Sequence, residues 1–255
     1  MIKKLIDIAK NILQRLIRGK EVSQGDISKY LEILPFADKR LIKKIKKAKL
    51  TYLSNNKLAS LAYACRDIEK NNIDGIIIEA GCALGGSSIL LASLKSKNRY
   101  LNVYDVFGMI PPPTDNDTQD VHDRYNTVVQ GESIGLGGDE YYGYQENLYE
   151  TVQANFRDFG VNLKTQSVLL VRGLVQDTLI IDQPVALAHI DVDWYDPVMT
   201  CLERIFPNLV VGGSIIIDDY YDWGGCKKAT DDFLTKNRGR FILDDSAGSL
   251  KIIKQ

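Results

Sequence analysis

The chain has 255 residues, 45% of them hydrophobic and 25% charged, a composition typical of one large globular domain. No apolar run reaches the roughly 20 residues of a membrane helix. Charges interrupt every apolar run near the N-terminus, so the sequence predicts no signal peptide. The four cysteines lack CxxC spacing, which indicates free thiols in a reducing cytoplasm instead of a disulfide framework or a zinc site.

The charge is unevenly distributed along the chain. Residues 1–50 carry 14 Lys/Arg against 5 Asp/Glu, although the whole chain has a net charge of −1. Such a basic region can bind an acidic partner, a membrane surface or nucleic acid. We favour a solvated helical face, because no nucleic-acid-binding motif accompanies the charge.

Apolar residues at helical spacing dominate the first part of the chain. They predict helices over 2–18, 24–33, 36–49 and 55–70. Residues 1–55 are too few and too rich in lysine to hold a core alone. We therefore expect them to form a helical cap on a second region, residues 56–255.

From Gly75 onward, short apolar runs alternate with helical patterns. Strands are predicted over 76–79, 100–104, 167–171, 187–191 and 214–218, and helices over 87–96, 145–159, 197–206 and 225–237. Runs rich in Ile and Val suit strands buried on both faces. The alternation predicts an α/β fold with a parallel sheet covered by helices on both sides.

Two segments depart from this alternation. The stretch "FILDDSAGSLKIIK" has two strand-like runs joined by a short turn, which permits only an antiparallel hairpin at the C-terminus. Residues 106–144 form a long segment rich in Pro, Gly and Asp. A segment of that length is typical of a lid or a binding loop, so we expect it to cover a ligand.

The first predicted strand leads into a glycine-rich turn, "IIIEAGCALGGSS". Glycines allow a tight turn and close approach to a ligand, and the following helix N-terminus favours an anionic group. The spacing is not that of the GxGxxG fingerprint. Glu79 ends this strand and Asp105 the next, which suits a cofactor containing a nucleoside. A structural glycine turn, and a capping role for Asp105, are the alternatives.

A second set of acids follows the later strands. Asp191 ends the fourth predicted strand, and Asp218 and Asp219 end the fifth. Converging carboxylates repel one another unless a cation lies between them. Carboxylate ligands predict Mg²⁺, which Mn²⁺ or Ca²⁺ can replace. His189 shares a sheet face with Asp191, and we favour a hydrogen-bonding role for it over direct metal ligation.

The stretch "HIDVDWYDP" holds two further aspartates. Asp193 is not needed to complete a Mg²⁺ site, which commonly keeps water ligands. We expect it to act as a general base on a substrate hydroxyl, although helix capping is the alternative. Asp196 precedes Pro197, so we expect it to cap the following helix. His122 falls in the lid-like segment with no assigned role.

Six motifs together resemble one family. They are "EAGCALGGSS", "YDVFGMIPPPT", "GLGGDEYYGY", "AHIDVDWYDP", "GGSIIIDDY" and "GCKKATDDF", in this order. They resemble the macrocin, mycinamicin and novobiocin sugar O-methyltransferases. The resemblance implies a class I, Rossmann-like fold, S-adenosylmethionine and Mg²⁺ as cofactors, and a sugar hydroxyl as the acceptor. Vicinal hydroxyls would chelate the ion best, and a homo-oligomer is one candidate for the quaternary state.

The resemblance also implies roles for individual residues. Asp191, Asp218 and Asp219 would hold the metal, and Asp193 would be the base. The S-adenosylmethionine site would comprise the glycine loop, one strand-end acid and a turn near the adenine: Glu79, Ala80, Gly81, Leu84, Gly86, Ser87, Ser88, Asp105, Gly173 and Leu174. Residues 51–53 loosely resemble a segment that approaches cofactor and acceptor.

Other functions compete with this interpretation. Catechol-type O-methyltransferases use a lysine three residues after the first metal aspartate, where this chain has Trp194. A nicotinamide-dependent oxidoreductase lacks support because the GxGxxG spacing is missing. A non-catalytic binding module has no use for clustered like charges. A polyketide or phenolic hydroxyl stays open as the acceptor.

Overall fold

A computed structural model describes residues 29–255 of the chain. The helix predicted over 2–18 lies outside the described residues, as does the beginning of the one predicted over 24–33. Among the residues from 29 onward, no helix is both long and apolar enough to cross a membrane.

Nine α-helices and seven strands make up this described part. The helices are α1 Lys29–Ile33, α2 Phe36–Lys47, α3 Asn55–Lys70, α4 Gly86–Leu94, α5 Gln119–Val129, α6 Leu148–Asp158, α7 Val175–Thr178, α8 Tyr195–Asn208 and α9 Gly224–Lys236. The strands are β1 Ile76–Ala80, β2 Leu101–Asp105, β3 Val168–Arg172, β4 Val185–Ile190, β5 Leu209–Ile217, β6 Phe241–Asp244 and β7 Leu250–Lys254.

All seven strands form one sheet in the order β3–β2–β1–β4–β5–β7–β6. The strands β1 to β5 pair in parallel, while β7 pairs antiparallel with both β5 and β6. The order reverses between β1 and β4, and in such sheets ligands bind outside the strand ends at that reversal. The α/β class, the parallel sheet and the C-terminal hairpin are confirmed.

Apolar side chains cover both faces of the sheet. Ile77 belongs to one buried cluster, whereas its neighbours Ile76 and Ile78 belong to the other, because successive strand residues point to opposite faces. The first cluster includes residues of α1 to α4 and α6, and the second includes residues of α7 to α9. The strand ends therefore carry the polar side chains, since both faces are filled.

The described part of the N-terminal cap is continuous with this core. Leu34, Ile42 and Ile45 are buried in the same cluster as the helices on the first sheet face. Ser54 caps α3 by accepting a hydrogen bond from the backbone N–H of Lys57 at 3.2 Å. The segment before α3 thus packs as a layer of the main fold and not as a separate body.

Three details differ from the sequence-based expectations. The segment 106–144 is not irregular throughout, because it contains α5 and two short 3₁₀ turns. Strand β5 begins at Leu209, earlier than predicted. The expectation that Asp196 caps α8 is wrong: the helix begins at Tyr195, and Asp196 lies in its first turn and accepts from the side-chain amide of Asn116 at 2.9 Å.

Candidate active site

A cavity of about 550 Å³ opens at the carboxyl ends of the parallel strands. That volume lies in the range of small-molecule sites. The glycine loop after β1 forms one wall, and the acids after β4 and β5 form another. The segment 106–144 and residues 51–54 complete the lining. Most of the predicted features therefore meet at one place.

Two glycines of the loop are required by backbone contacts. Gly81 has a φ of +83°, and a Cβ there would overlap the backbone carbonyl oxygen of Asp191. A Cβ on Gly86 would lie 2.5 Å from the carbonyl oxygen of Leu50. The first contact packs the loop directly against the residue that starts the acidic cluster. The second packs it against the segment that leads into α3.

Asp105, at the end of β2, lines the cavity beneath this loop. Its carboxylate accepts backbone N–H groups from Cys82 and Phe107, both at 2.7 Å, and from Ala83 at 3.3 Å. Desolvation raises the pKa of this carboxyl. The three N–H donors lower it, but by less, so the pKa lies above its usual value. Asp105 therefore caps the turns on either side while facing the predicted nucleoside position. Both roles considered from the sequence are compatible with this geometry.

Glu79 is fully buried and does not line the cavity. Its carboxylate accepts a hydrogen bond from the hydroxyl of Ser88 and lies 3.0 Å from Nδ1 of His189. Burial lowers the pKa of His189, but the adjacent carboxylates of Asp218 and Glu79 outweigh it and raise the pKa to about 10. Glu79 thus links the glycine-loop helix to the acidic cluster through His189.

The predicted cofactor residues fall into two groups. Those at the cavity wall are Gly81, Ser87, Asp105, Gly173 and Leu174. Those behind the wall are Glu79, Ala80, Leu84, Gly86 and Ser88, which are missing from the lining. Members of the second group support the wall: the carbonyl of Ala80 accepts the backbone N–H of Asp191 at 2.8 Å, and that of Leu84 accepts the side chain of Asn155 at 2.9 Å.

The strand-end acids form two overlapping clusters. Asp191, Asp193 and Asp219 each offer an oxygen within 4.8 Å of the others, and Asp218, Asp219 and Asp222 form a similar set. Asp219 belongs to both. The sequence predicted Asp191, Asp218 and Asp219 as the metal ligands, whereas the set that contains Asp191 includes Asp193 in place of Asp218.

These carboxylates have strongly perturbed acidities. Desolvation raises the pKa of Asp193 to about 6, and together with the neighbouring negative charges it raises those of Asp191 and Asp219 well above the usual range. Asp218 differs, because His189 and Lys57 lower its pKa despite its burial. The raised pKa values reflect burial together with mutual repulsion among these carboxylates.

The chemistry of these side chains fits a hard divalent cation. Among the described residues, Oδ2 of Asp219, Oδ1 of Asp218 and Nε2 of His189 are buried without a hydrogen-bond partner. Buried polar atoms rarely stay unpaired, so oxygens that converge in this way fit an ion. Nε2 of His189 lies 3.8 Å from Oδ1 of Asp218, so the histidine faces the cluster from behind.

Asp193 occupies an unusual turn. Its φ is +58°, and the backbone N–H of Trp194 donates to the carbonyl of Val192 at 2.6 Å across it. A three-residue turn with positive φ at a non-glycine residue is strained, and such strain is concentrated at functional sites. The turn directs Asp193 into the cavity, where it is part of the lining.

A profile of macrocin O-methyltransferases (TylF) matches residues 37–242, well over half of the chain. The chain belongs to this family. It is an O-methyltransferase, and the family resemblance drawn from the six motifs is confirmed.

Two relatives of this TylF-family enzyme are themselves O-methyltransferases. The demethyldecarbamoylnovobiocin O-methyltransferase of Streptomyces niveus is 27% identical over 195 residues, which cover 73% of this chain and 68% of the relative. The 8-demethyl-8-(2,3-dimethoxy-alpha-L-rhamnosyl)-tetracenomycin-C 4'-O-methyltransferase of Streptomyces olivaceus is 27% identical over 248 residues, which cover 94% and 86%.

The solved structure of the O-methyltransferase NovP has the same fold. It superposes with a TM-score of 0.67 at 24% sequence identity, covering 81% of this chain and 82% of NovP. The sheet with its reversed C-terminal strand is therefore that of known methyltransferases.

Sequence reasoning missed several residues that line the cavity of this TylF-family enzyme. Tyr141 and Tyr142 pack with ring centroids 4.6 Å apart. The ring of Tyr142 also lies 5.8 Å from that of Tyr52, which belongs to the segment 51–53 already expected near the acceptor. The guanidinium of Arg124 lies 5.4 Å from the ring centroid of Tyr141. The doublet in "GLGGDEYYGY" was visible as a motif, but nothing in it indicated which face of the lid it occupies.

Lys57 was also missed, because a single lysine in a helical pattern carries no signal. Its ammonium lies 3.0 Å from an oxygen of Asp218 and 2.6 Å from an oxygen of Asp222. These contacts outweigh desolvation and raise the pKa of Lys57. The lysine thus offsets part of the charge of the outer cluster, Asp218, Asp219 and Asp222, and forms no ion pair with Asp191 or Asp193 of the inner cluster, Asp191, Asp193 and Asp219.

Proposed function

We propose that this enzyme transfers a methyl group from S-adenosylmethionine to a hydroxyl of a sugar or sugar-bearing natural product, with Mg²⁺ bound at the acidic cluster. The observation that carries the proposal is the convergence of the inner cluster, Asp191, Asp193 and Asp219, with the glycine loop in one cavity. The first feature suits a hard cation and the second suits a nucleoside.

The donor position follows from the wall around the glycine loop. Gly81, Ser87 and Asp105 face the cavity there, and Gly173 and Leu174 line it where we propose that the adenine binds. In our proposal Asp105 binds the ribose hydroxyls with the oxygen lone pairs that its backbone donors leave free. The helix N-terminus at Gly86 favours the carboxylate of the methionine part.

The ion position follows from the charges. Asp191 and Asp219 are proposed as ligands, with the unpaired Oδ1 of Asp218 beside them. His189 and Lys57 orient Asp218 from two sides. When bound, the cation supplies Lewis acidity that lowers the pKa of an acceptor hydroxyl.

Asp193 is proposed as the base. It is the member of the inner cluster that follows Asp191 on the cavity wall, and desolvation raises its pKa to about 6, which makes it a stronger base than an ordinary carboxylate. A base with a pKa close to the working pH is efficient. Asp193 takes the proton from the acceptor hydroxyl while the remaining wall holds the two reactants in line and excludes water.

The acceptor class is proposed from the relatives and from the wall. The Streptomyces olivaceus relative is named for methylation of a rhamnosyl group, and the Streptomyces niveus relative for a novobiocin precursor. Tyr52, Tyr141 and Tyr142 form an aromatic surface on the wall of the same cavity. Aromatic rings with polar tips suit a ring that carries both apolar and hydroxyl groups.

The test uses the full chain with methyl-labelled S-adenosylmethionine and a panel of glycosides, free sugars, nucleotide sugars and phenols. We expect label on a sugar oxygen, loss of transfer with a chelator, and recovery on addition of Mg²⁺. Transfer that continues in chelator would contradict the metal role. A product methylated on a phenol would contradict the acceptor class, and failure to bind S-adenosylhomocysteine would contradict the donor.

A further inference from the structure

The strained turn at Asp193 is held from outside by the segment 111–120, which belongs to the lid. The indole N–H of Trp194 donates to the carbonyl of Pro111 at 2.9 Å. The backbone N–H of Tyr195 donates to Oδ1 of Asp117 at 2.7 Å. Both residues follow Asp193 directly, and a strained conformation persists only where its surroundings hold it.

The other carboxylate oxygen of Asp117 forms a hydrogen bond within the lid. Oδ2 accepts the backbone N–H of Thr114 at 3.0 Å, and the backbone N–H of Asp117 donates to the carbonyl of Thr114 at 3.0 Å. One carboxylate therefore joins a closed turn of the lid to the first N–H of α8. Because α8 has no side-chain cap of its own, this contact supplies the missing acceptor from a distant part of the chain.

The start of α9 also packs closely against this carboxylate. A Cβ on Gly225, at the start of α9, would overlap Oδ1 of Asp117. Glycine at this position is otherwise unfavourable within a helix. The close approach explains the glycine, and it offers a second way to displace Asp117 without changing the carboxylate itself.

We propose that Asp117 is a positioning residue: seated against Tyr195, it holds the turn that directs Asp193 into the cavity. This role rests on the proposed function of Asp193 as the base. It links the conformation of the segment 111–120 to the orientation of the group that takes the proton. Displacement by even about 1 Å can cost a large factor in rate.

Asp120 provides a matched control. It is also a lid carboxylate that serves a helix N-terminus, since Oδ2 accepts the backbone N–H of Gly224 at 2.9 Å. It does not line the cavity, and α9 does not carry Asp193. Loss of Asp120 therefore loosens the lid but leaves in place the two hydrogen bonds that join the lid to Trp194 and Tyr195. Asp115 is exposed, which makes it a control for lid charge alone.

The experiment compares Asp117→Ala, Asp117→Asn, Gly225→Ala, Asp120→Ala and Asp115→Ala in the full chain. We expect Asp117→Ala to lower kcat at least about tenfold, with the KM for S-adenosylmethionine and the affinity for S-adenosylhomocysteine within about twofold of the parent. Asp117→Asn should recover part of the loss, because its amide oxygen still accepts from Tyr195. Gly225→Ala should match Asp117→Ala, and the double variant should be no worse than either, since both remove one contact.

A second readout does not depend on turnover. Hydrogen exchange at the amides of Trp194 and Tyr195 should become at least about tenfold faster in Asp117→Ala and Gly225→Ala, and not in Asp120→Ala. Unchanged exchange, or a loss of kcat equal to that of Asp120→Ala, would overturn the role of Asp117. If the parent transfers no methyl group to any acceptor, the proposed function fails, and exchange alone decides whether Asp117 holds the turn.

Discussion

Asp105 and Asp219 are both carboxylates at strand ends of the same cavity, yet their surroundings are opposite. Asp105 accepts three backbone N–H groups from the turns around it. Asp219 is 7% exposed and keeps an oxygen without a partner among the described residues. Its nearest neighbours, Asp191 and Asp193, are themselves acids.

The difference separates an acid whose oxygens the backbone satisfies from one with an unpaired oxygen, which fits the proposed cation. Backbone donors satisfy Asp105 before any cofactor binds, so this side of the cavity is organised in advance. The acids around Asp219 repel one another, and the proposed cation would relieve that repulsion. We expect changes on the two sides to alter stability in opposite directions, and the predictions below test that contrast.

The largest effect is expected at Asp193. Replacement by Asn keeps the shape but removes the proton acceptor, so kcat should fall by about 10²–10⁴. Binding of S-adenosylhomocysteine should be unchanged, because that side of the cavity is untouched. Titration with Mn²⁺ separates base from ligand, since Asp193 also lies within reach of the inner cluster. Preserved Mn²⁺ affinity supports the base, whereas a large loss would show that Asp193 is a ligand.

The second effect is expected at Asp105. Replacement by Ala leaves the N–H groups of Cys82 and Phe107 without their acceptor, which should lower the free energy of unfolding by about 2–3 kcal/mol. For a domain of this size that corresponds to roughly 2–4 °C in Tm per kcal/mol. Thermal unfolding in chelator measures it. A variant as stable as the parent would contradict the structural role of this carboxylate.

The third effect, at Asp219, is an increase in the free energy of unfolding instead of a decrease. Its pKa is raised in the folded state, so the metal-free protein should lose stability as the pH rises above the unfolded value of about 4. Asp219→Asn removes that penalty and should be more stable than the parent in chelator near pH 7, by about 1–2 kcal/mol. The difference should shrink toward pH 4.

The same variant should bind Mn²⁺ at least about tenfold more weakly than the parent. Unfolding in chelator between pH 4 and 8, with a parallel Mn²⁺ titration, checks both parts. A variant that is less stable than the parent at pH 7 would show that the unpaired carboxylate oxygen of Asp219 does not destabilise the metal-free protein.

The smallest effect is expected at Asp196. It is not the N-cap of α8, so Asp196→Ala should lose only the interaction with the helix dipole, about 0.3–1 kcal/mol. Its hydrogen bond with Asn116 is exposed and adds little. Urea unfolding measures the change. A cost of 2 kcal/mol or more, the upper range for an N-cap, would restore the role expected from the sequence.

The local hydrophobic pattern was sufficient to predict the five parallel strands of the sheet. Strands β1 to β5 are short apolar runs, and the acids that follow them had to lie at one edge because parallel strands all end there. Helix α3 was predicted with its bounds, and the structure adds the cap that Ser54 supplies. Helix α5 was missed, because its sequence is polar and follows three prolines, which obscured the helical period.

The sequence by itself determined the fold class, the family and the presence of strand-end acids, because hydrophobic period and motif order are local properties. Only the tertiary structure decided what each acid contacts. Glu79 and Asp105 follow similar strands, yet one is buried behind the wall and the other faces the cavity. Asp117 caps a helix far along the chain in place of Asp196. Such pairings depend on which segments fold against each other, and no single stretch of sequence records that.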